Sequence, residues 1–315
     1  MPSKRFSLIK PSTRAFFREA RRTPNYTFWD WLHGYIYGRW LYQYIAIGTG
    51  QHPWAKRLEP LATRLLHLFN RFAPDRPAGE AKKPGFADSY HGKVVPVESA
   101  RRLVSLRQNI SLTNLEQVIP YARARDIVLQ NPDHLVVLDC PCRMARENPC
   151  LPLDVCLVVG EPFASFVLEH HPTRSRAITP AEAAAILQAE HERGHVQHAF
   201  FKDAMLGRFY AICNCCSCCC GAMGAHRNGI PMLASSGFVA CVDEAGCIGC
   251  GVCEVICQFG AISLDSGVAE VAAAQCMGCG VCASQCVSEA ISLAHDPARG
   301  EPLEIQKLMV ESVVA

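Results

Sequence analysis

The stretch Cys247–Leu293 reads CIGCGVCEVICQFGAISL (247–264), a short insert, and then CMGCGVCASQCVSEAISL (276–293). With residue 247 aligned to 276, the copies share Cys, Gly, Cys, Gly, Val, Cys, Cys, Ala, Ile, Ser and Leu, an internal repeat of 29 residues. Such a repeat is one supersecondary unit used twice. Each copy carries C-x2-C-x2-C-x3-C. Three thiolates two residues apart wrap a tight loop round three irons of a [4Fe–4S] cube, and the fourth cysteine, on the segment leaving the loop, serves the other cube. The expected ligand sets are therefore Cys247, Cys250, Cys253 and Cys286 for one cluster, and Cys276, Cys279, Cys282 and Cys257 for the second. Gly249, Gly251, Gly278 and Gly280 suit a chain that needs positive φ and close backbone approach. Ile248, Val252, Met277 and Val281 are the expected shields against water.

This segment resembles the bacterial-type dicluster ferredoxins, two-[4Fe–4S] domains that carry electrons. The resemblance covers about 60 residues and rests on eight cysteines in two registered copies. It departs from the family after the fourth cysteine of each run, where proline is common and this chain has Gln258 and Val287. A pair of zinc loops is the competing reading, but structural zinc sites favour two separated cysteine pairs over a four-cysteine run.

The rest of the 315 residues must be more than an appendage, since half are hydrophobic and the chain is long enough for two ordinary cores. Its 19 cysteines fall in adjacent and C-x2-C patterns that suit metal in a reducing cytoplasm better than disulfides. A net charge of +2 without a basic, aromatic-interleaved stripe sets nucleic acid aside. Residues 1–25 are basic but have no apolar run of the secretory kind; their Arg-rich, acid-poor start imitates an organellar transit peptide, and the cytoplasm is the expected location.

The aromatic stretch at 26–48 nearly matches a bilayer in length, but Asp30, His33, Arg39 and Gln43 fall on different sides of a helix and disfavour a span. Gly34 and Gly38 would allow close helix approach. Three readings stay open: packing within the domain or a homodimer, docking on a partner subunit, and peripheral membrane contact through residues 1–72 on the inner face of the membrane. An amphipathic helix is expected at 58–72, then a linker at 73–93 rich in Pro and Gly.

Beyond it the pattern predicts helices at 97–108 and 114–130, strands at 134–140 and 155–160, and a helix at 180–192 with Thr179 as N-cap and Pro180 at the first position. Gly194 should end that helix, and VQHAFF and RFYAIC should be strands. The expected organisation is α+β: a basic, aromatic helical region (1–72), the linker (73–93), a cysteine-rich α/β domain (94–238), a ferredoxin-like domain with a pseudo-twofold repeat (239–295) and a tail (296–315).

Two more cysteine sets lie in the α/β segment, Cys140, Cys142, Cys150 and Cys156 in one, and six within CNCCSCCC (213–220) in the other. Both begin where a predicted strand ends, the usual place for sites in α/β folds. They point to a third iron–sulfur centre, for which Cys142, Cys150, Cys213 and Cys216 are chosen among comparable sets. Zinc, a redox dithiol and inert buried cysteines are the alternatives. Cys219-Cys220-Gly221 resembles the CCG element of disulfide-reducing and succinate-linked subunits over three residues only. The order CPCR, CNCC and dicluster segment resembles a group of large ferredoxin-like proteins of anaerobic bacteria. His191-Glu192-Arg193-Gly194-His195 fits H-E-x-x-H formally, yet Gly194 should end the helix inside it and so rule out a zinc peptidase. His170-His171 is read as structural.

No acid–base pair, oriented nucleophile or phosphate loop stands out. The sequence therefore points to an electron-transfer protein or subunit serving an oxidoreductase partner. A reductase with its catalytic centre in 140–220 and a redox-sensing interaction protein are the alternatives.

Overall fold

The computed structural model describes residues 9–54 and 86–314. The helix expected at 58–72 and most of the linker lie outside them. The central sheet is built from β1 (Tyr90–Val94), β2 (Ile110–Leu112), β3 (Ile127–Asp139), β4 (Asp154–Glu161), β5 (Ser175–Ile178), β6 (Val196–Lys202), β7 (Arg208–Cys215) and β8 (Leu233–Ala234). They run in the order β2-β3-β4-β7-β6-β1-β8, with β5 paired to β3. Neighbours are antiparallel except β1 and β8. Successive side chains on a strand face opposite ways, and here both faces are covered. Leu135 and Val137 enter one core while Val136 and Leu138 enter the other. The fold is mixed α and β, as expected at that level.

One face carries α1 (Pro11–Ala20), α2 (Phe28–Arg39) and α3 (Leu41–Gly48), which reach the sheet through Phe16, Tyr37 and Leu41. The aromatic stretch is thus two helices, broken at Trp40, whose φ of −118° and ψ of 41° leave the helical region. Gly34 lets α2 touch the β6–β7 turn: a Cβ there would sit 2.0 Å from the Ala204 carbonyl oxygen. Gly38 likewise lies close to the Phe166 ring, 2.8 Å from where its Cβ would be. Trp29, Ile36 and Trp40 face outward. Among the described residues no helix is long and apolar enough to cross a membrane.

After α4 (Phe86–Ser89), β1 starts at Tyr90, so residues 86–93 of the expected linker belong to the fold. The opposite face of the sheet carries α5 (Val97–Val104) and, further along, the 180–192 helix. The helix expected at 114–130 is not one. Positive φ at Asn114 and Ala124 and the proline at 120 hold that segment as turns, and its end is the start of β3. The strand expected at 134–140 stops at Asp139, and Cys140 caps α6 (Pro141–Met144) instead. Next come α7 (Phe163–His170), unforeseen, and α8 (Pro180–Glu192), capped by Thr179. Then α9 (Gly221–Arg227) follows the CNCCSCCC run.

The repeat appears in the backbone. α10 (Val252–Ile256) and α11 (Val281–Ser284) begin 29 residues apart, each after a glycine at positive φ, Gly251 at 75° and Gly280 at 82°. A strand begins ten residues after each, at Ile262 and at Ile291. β9 (Phe238–Val242) pairs with β12 (Ile291–His295), and β10 (Ile262–Ser263) with β11 (Glu270–Val271). The expected tail instead packs α12 (Ile305–Val314) on the second core, anchored by Leu303 and Ile305.

Candidate functional site

In the second copy of the repeat, Cys276, Cys279 and Cys282 line a cavity of about 20 Å³ together with Cys257 from the first copy; Met277, Val281 and Phe259 close it. Burial pushes the Cys279 and Cys282 thiols up to about 12. Backbone amides point at two of the sulfurs, Ala240 N–H to Cys276 Sγ at 3.5 Å and Ala261 N–H to Cys257 Sγ at 3.3 Å. Four thiols, apolar shields and converging N–H groups form a donor set suited to a soft metal centre. The first copy is more open. Cys250 is exposed and Cys247 and Cys286 half-buried, and the Cys286 thiol is held low, chiefly by its contact with Ser288.

The second set lies where β3, β4 and β7 end side by side. Cys150, Cys216, Cys218 and Cys219 place their sulfurs within 4.8 Å of one another and could hold a metal ion. Cys150 and Cys218 are 3.1 Å apart, and Cys150–Cys216 and Cys218–Cys219 are each 3.7 Å apart. A tetrahedral ion with metal–sulfur bonds of about 2.3 Å would have sulfur–sulfur edges of about 3.8 Å. The quartet therefore fits a single ion. Burial raises Cys150 to about 11. At Cys218 burial acts in the same sense, but contacts from Cys150, Cys216 and Cys219 outweigh it and lower the thiol.

The quartet chosen from sequence is divided by the fold. Cys150 and Cys216 belong to this outer group. Cys142 and Cys213 belong to an inner one with Cys140, Cys156, Cys215 and Cys220, around a cavity of about 80 Å³ that Cys216 and Cys219 of the outer group also line. The reason is the turn after β7. Alternation holds Cys213 and Cys215 on one face of the strand, and β7 ends at Cys215, so that the next residue, Cys216, is free of the strand's period and brings its sulfur to 3.7 Å from that of Cys150.

Residues that the sequence did not single out hold the two groups in place. Arg143, the arginine of CPCR, is 1% exposed and donates to Glu190 Oε2 at 2.6 Å, to the Asn214 carbonyl at 3.3 Å and to the Pro152 carbonyl. His195 donates to the same Glu190 oxygen at 2.7 Å and Arg193 to the other at 2.9 Å. Burial opposes the charge on Glu190, but the bonds from His195 and Arg143 prevail and keep its carboxyl below the usual range. Asn214, inside CNCC, donates to the Val155 carbonyl at 2.8 Å and accepts from Gln197 at 2.9 Å. The one signal for this role in the sequence is an arginine set directly behind two close cysteines, Arg143.

The same network disposes of H-E-x-x-H. α8 ends at Glu192, His195 is bound to Glu190, and His191 is bound to Gln197 at 3.2 Å. His170 and His171 are structural, bonded to Thr13 Oγ1 at 2.9 Å and to the Gly38 carbonyl at 2.6 Å.

The repeat touches the cysteine-rich run directly. Gln258, the residue that stands in place of the expected proline, accepts from the Ser217 N–H at 2.8 Å. Met277, Val281 and Cys279 pack into the core that contains Cys140, Cys156, Cys215 and Cys220. Arg299 clamps the second loop through the Ala274 carbonyl at 3.1 Å and the Cys276 carbonyl. No protein-family model, curated protein or solved structure matches the chain.

Proposed function

We propose that this chain is an iron–sulfur electron-transfer protein or subunit, with two [4Fe–4S] clusters in the ferredoxin-like segment 239–295 and a third iron centre on Cys150, Cys216, Cys218 and Cys219. The observation that carries the reading is the sharing of one cavity by Cys257 with Cys276, Cys279 and Cys282, the exchange of fourth ligands that the spacing requires. All four loop glycines named for the purpose have positive φ, between 63° and 82°. Bound there, iron–sulfur cubes exchange single electrons with little change of geometry. The chain's part is to position the thiols, to aim amides at the sulfurs of Cys257 and Cys276, and to exclude water with Met277, Val281 and Phe259. Gln258 ties the loop of Cys257 to the run that supplies three of the four outer ligands, which gives electrons a short route between the two regions. A partner oxidoreductase would supply or take them.

Anaerobic purification followed by iron, zinc and acid-labile sulfide analysis tests this. At least about eight irons with matching sulfide are expected, the share of the two cubes, with one further iron at the outer quartet as the minimum beyond them. A preparation holding zinc alone overturns the proposal.

A further inference from the structure

The six inner thiols are not needed by the centres proposed so far, and their arrangement differs from the outer quartet. They form an arc in which each contacts the next: Cys213 with Cys156, Cys156 with Cys140, Cys140 with Cys142, Cys142 with Cys220, and Cys220 with Cys215 at 3.2 Å. Yet among the described residues the outer quartet is the one group of three or more candidate ligands lying mutually within 4.8 Å. The inner six are therefore strung round a perimeter too wide for one ion. The cavity they border, which Cys216 and Cys219 also line, is about 80 Å³, several times the 10–15 Å³ or so that a single water requires.

The donor chemistry is selective. Among the described residues no carboxylate or imidazole lines the cavity; besides the thiols the polar groups there are Asn214, Arg143 and the hydroxyls of Tyr37, Tyr90 and Tyr210. Backbone amides of Arg143, Gly221 and Met223 reach Cys140, Cys142 and Cys220. Sulfur-only donors select soft or borderline metals, iron–sulfur clusters among them. A set of sulfurs spread round one cavity, with amides directed at them and water excluded by Leu41, Phe163, Phe166 and Phe200, matches the needs of an extended inorganic core.

We propose that Cys140, Cys142, Cys156, Cys213, Cys215 and Cys220 bind a polynuclear iron–sulfur cluster beside the single-ion site at Cys150, Cys216, Cys218 and Cys219, which borders the same cavity through Cys216 and Cys219. The inference rests on the iron–sulfur reading of the chain but concerns different ligands.

Native mass spectrometry of the anaerobic full-length chain, with iron and sulfide analysis, reads the content directly. Inorganic mass beyond two cubes and one further iron is expected, with extra sulfide. Content of about nine irons and eight sulfides or less, or a mass reduced by disulfide formation among these thiols, overturns the proposal. Paired variants locate the cluster. Cys142→Ala with Cys156→Ala should lose iron and sulfide together while the EPR signals of the C-terminal cubes persist, whereas Cys150→Ala with Cys218→Ala should lose one iron and no sulfide. Unchanged iron and sulfide in the first variant overturns the assignment. Cys250→Ala with Cys279→Ala separates this inference from the functional reading, because the inner iron and sulfide should survive there even as the C-terminal cubes are lost.

Discussion

At the scale of single residues, the fold depends on Glu190 more than on any histidine near it. Removing one partner of a buried ion pair leaves the other charge uncompensated, at a cost of about 3–5 kcal/mol. Glu190→Gln should lower unfolding stability by that order at pH 7, measured by denaturant titration. A carboxyl held below its unfolded value, about 4.3, stabilises fully above that value and loses the contribution as pH falls through its folded one. The gap between wild type and Glu190→Gln should therefore close on acidification below the ordinary glutamate range; a gap that stays constant to pH 3 would contradict the bonding described. Gln258→Ala removes one hydrogen bond and should cost only about 1 kcal/mol. It should shift a reduction potential while leaving the iron content unchanged, and loss of iron would show that Gln258 supports the ligand loop itself. Gln258 was visible in the sequence as a departure from a pattern. Its partner was not, because Ser217 lies 41 residues away and only the docking of two segments brings them together.

At the scale of elements, the repeat was legible because its pattern is local: four cysteines and two glycines recur at the same spacing within eleven residues of each copy. The strands VQHAFF and RFYAIC and the helix with Thr179 as its cap were legible for the same reason. The segment 114–130 misled, since Leu115, Val118 and Ile119 have helical spacing while Pro120 and the left-handed Asn114 and Ala124 forbid the helix. The outer quartet could not be read, because it depends on β4 lying between β3 and β7. The packing of α2 gives a direct check. Gly34→Ala drives a Cβ against the Ala204 carbonyl and should destabilise by about 1–3 kcal/mol, with a changed near-UV signal from Trp31. Gly48→Ala meets nothing within 4 Å and should be neutral or stabilising by about 0.4–1 kcal/mol. Equal effects of the two in thermal unfolding would contradict the close approach of α2.

At the scale of the whole molecule, the helical layers and the sheet hold ten thiols at one edge, and the repeat docks against that edge through Gln258, Met277 and Val281. The two halves of the repeat depend on each other if fourth ligands are exchanged. Cys257→Ser should thus damage the centre whose other ligands are Cys276, Cys279 and Cys282; spectra that lose the centre at Cys247, Cys250 and Cys253 instead would reverse the assignment. The most direct trial of the central claim is an anaerobic reductive titration of the full-length chain, followed by EPR. One electron taken up by each of the two C-terminal centres, with low-temperature signals of reduced [4Fe–4S] cubes, is the expected result. A chain that accepts no electrons from a strong low-potential reductant contradicts it.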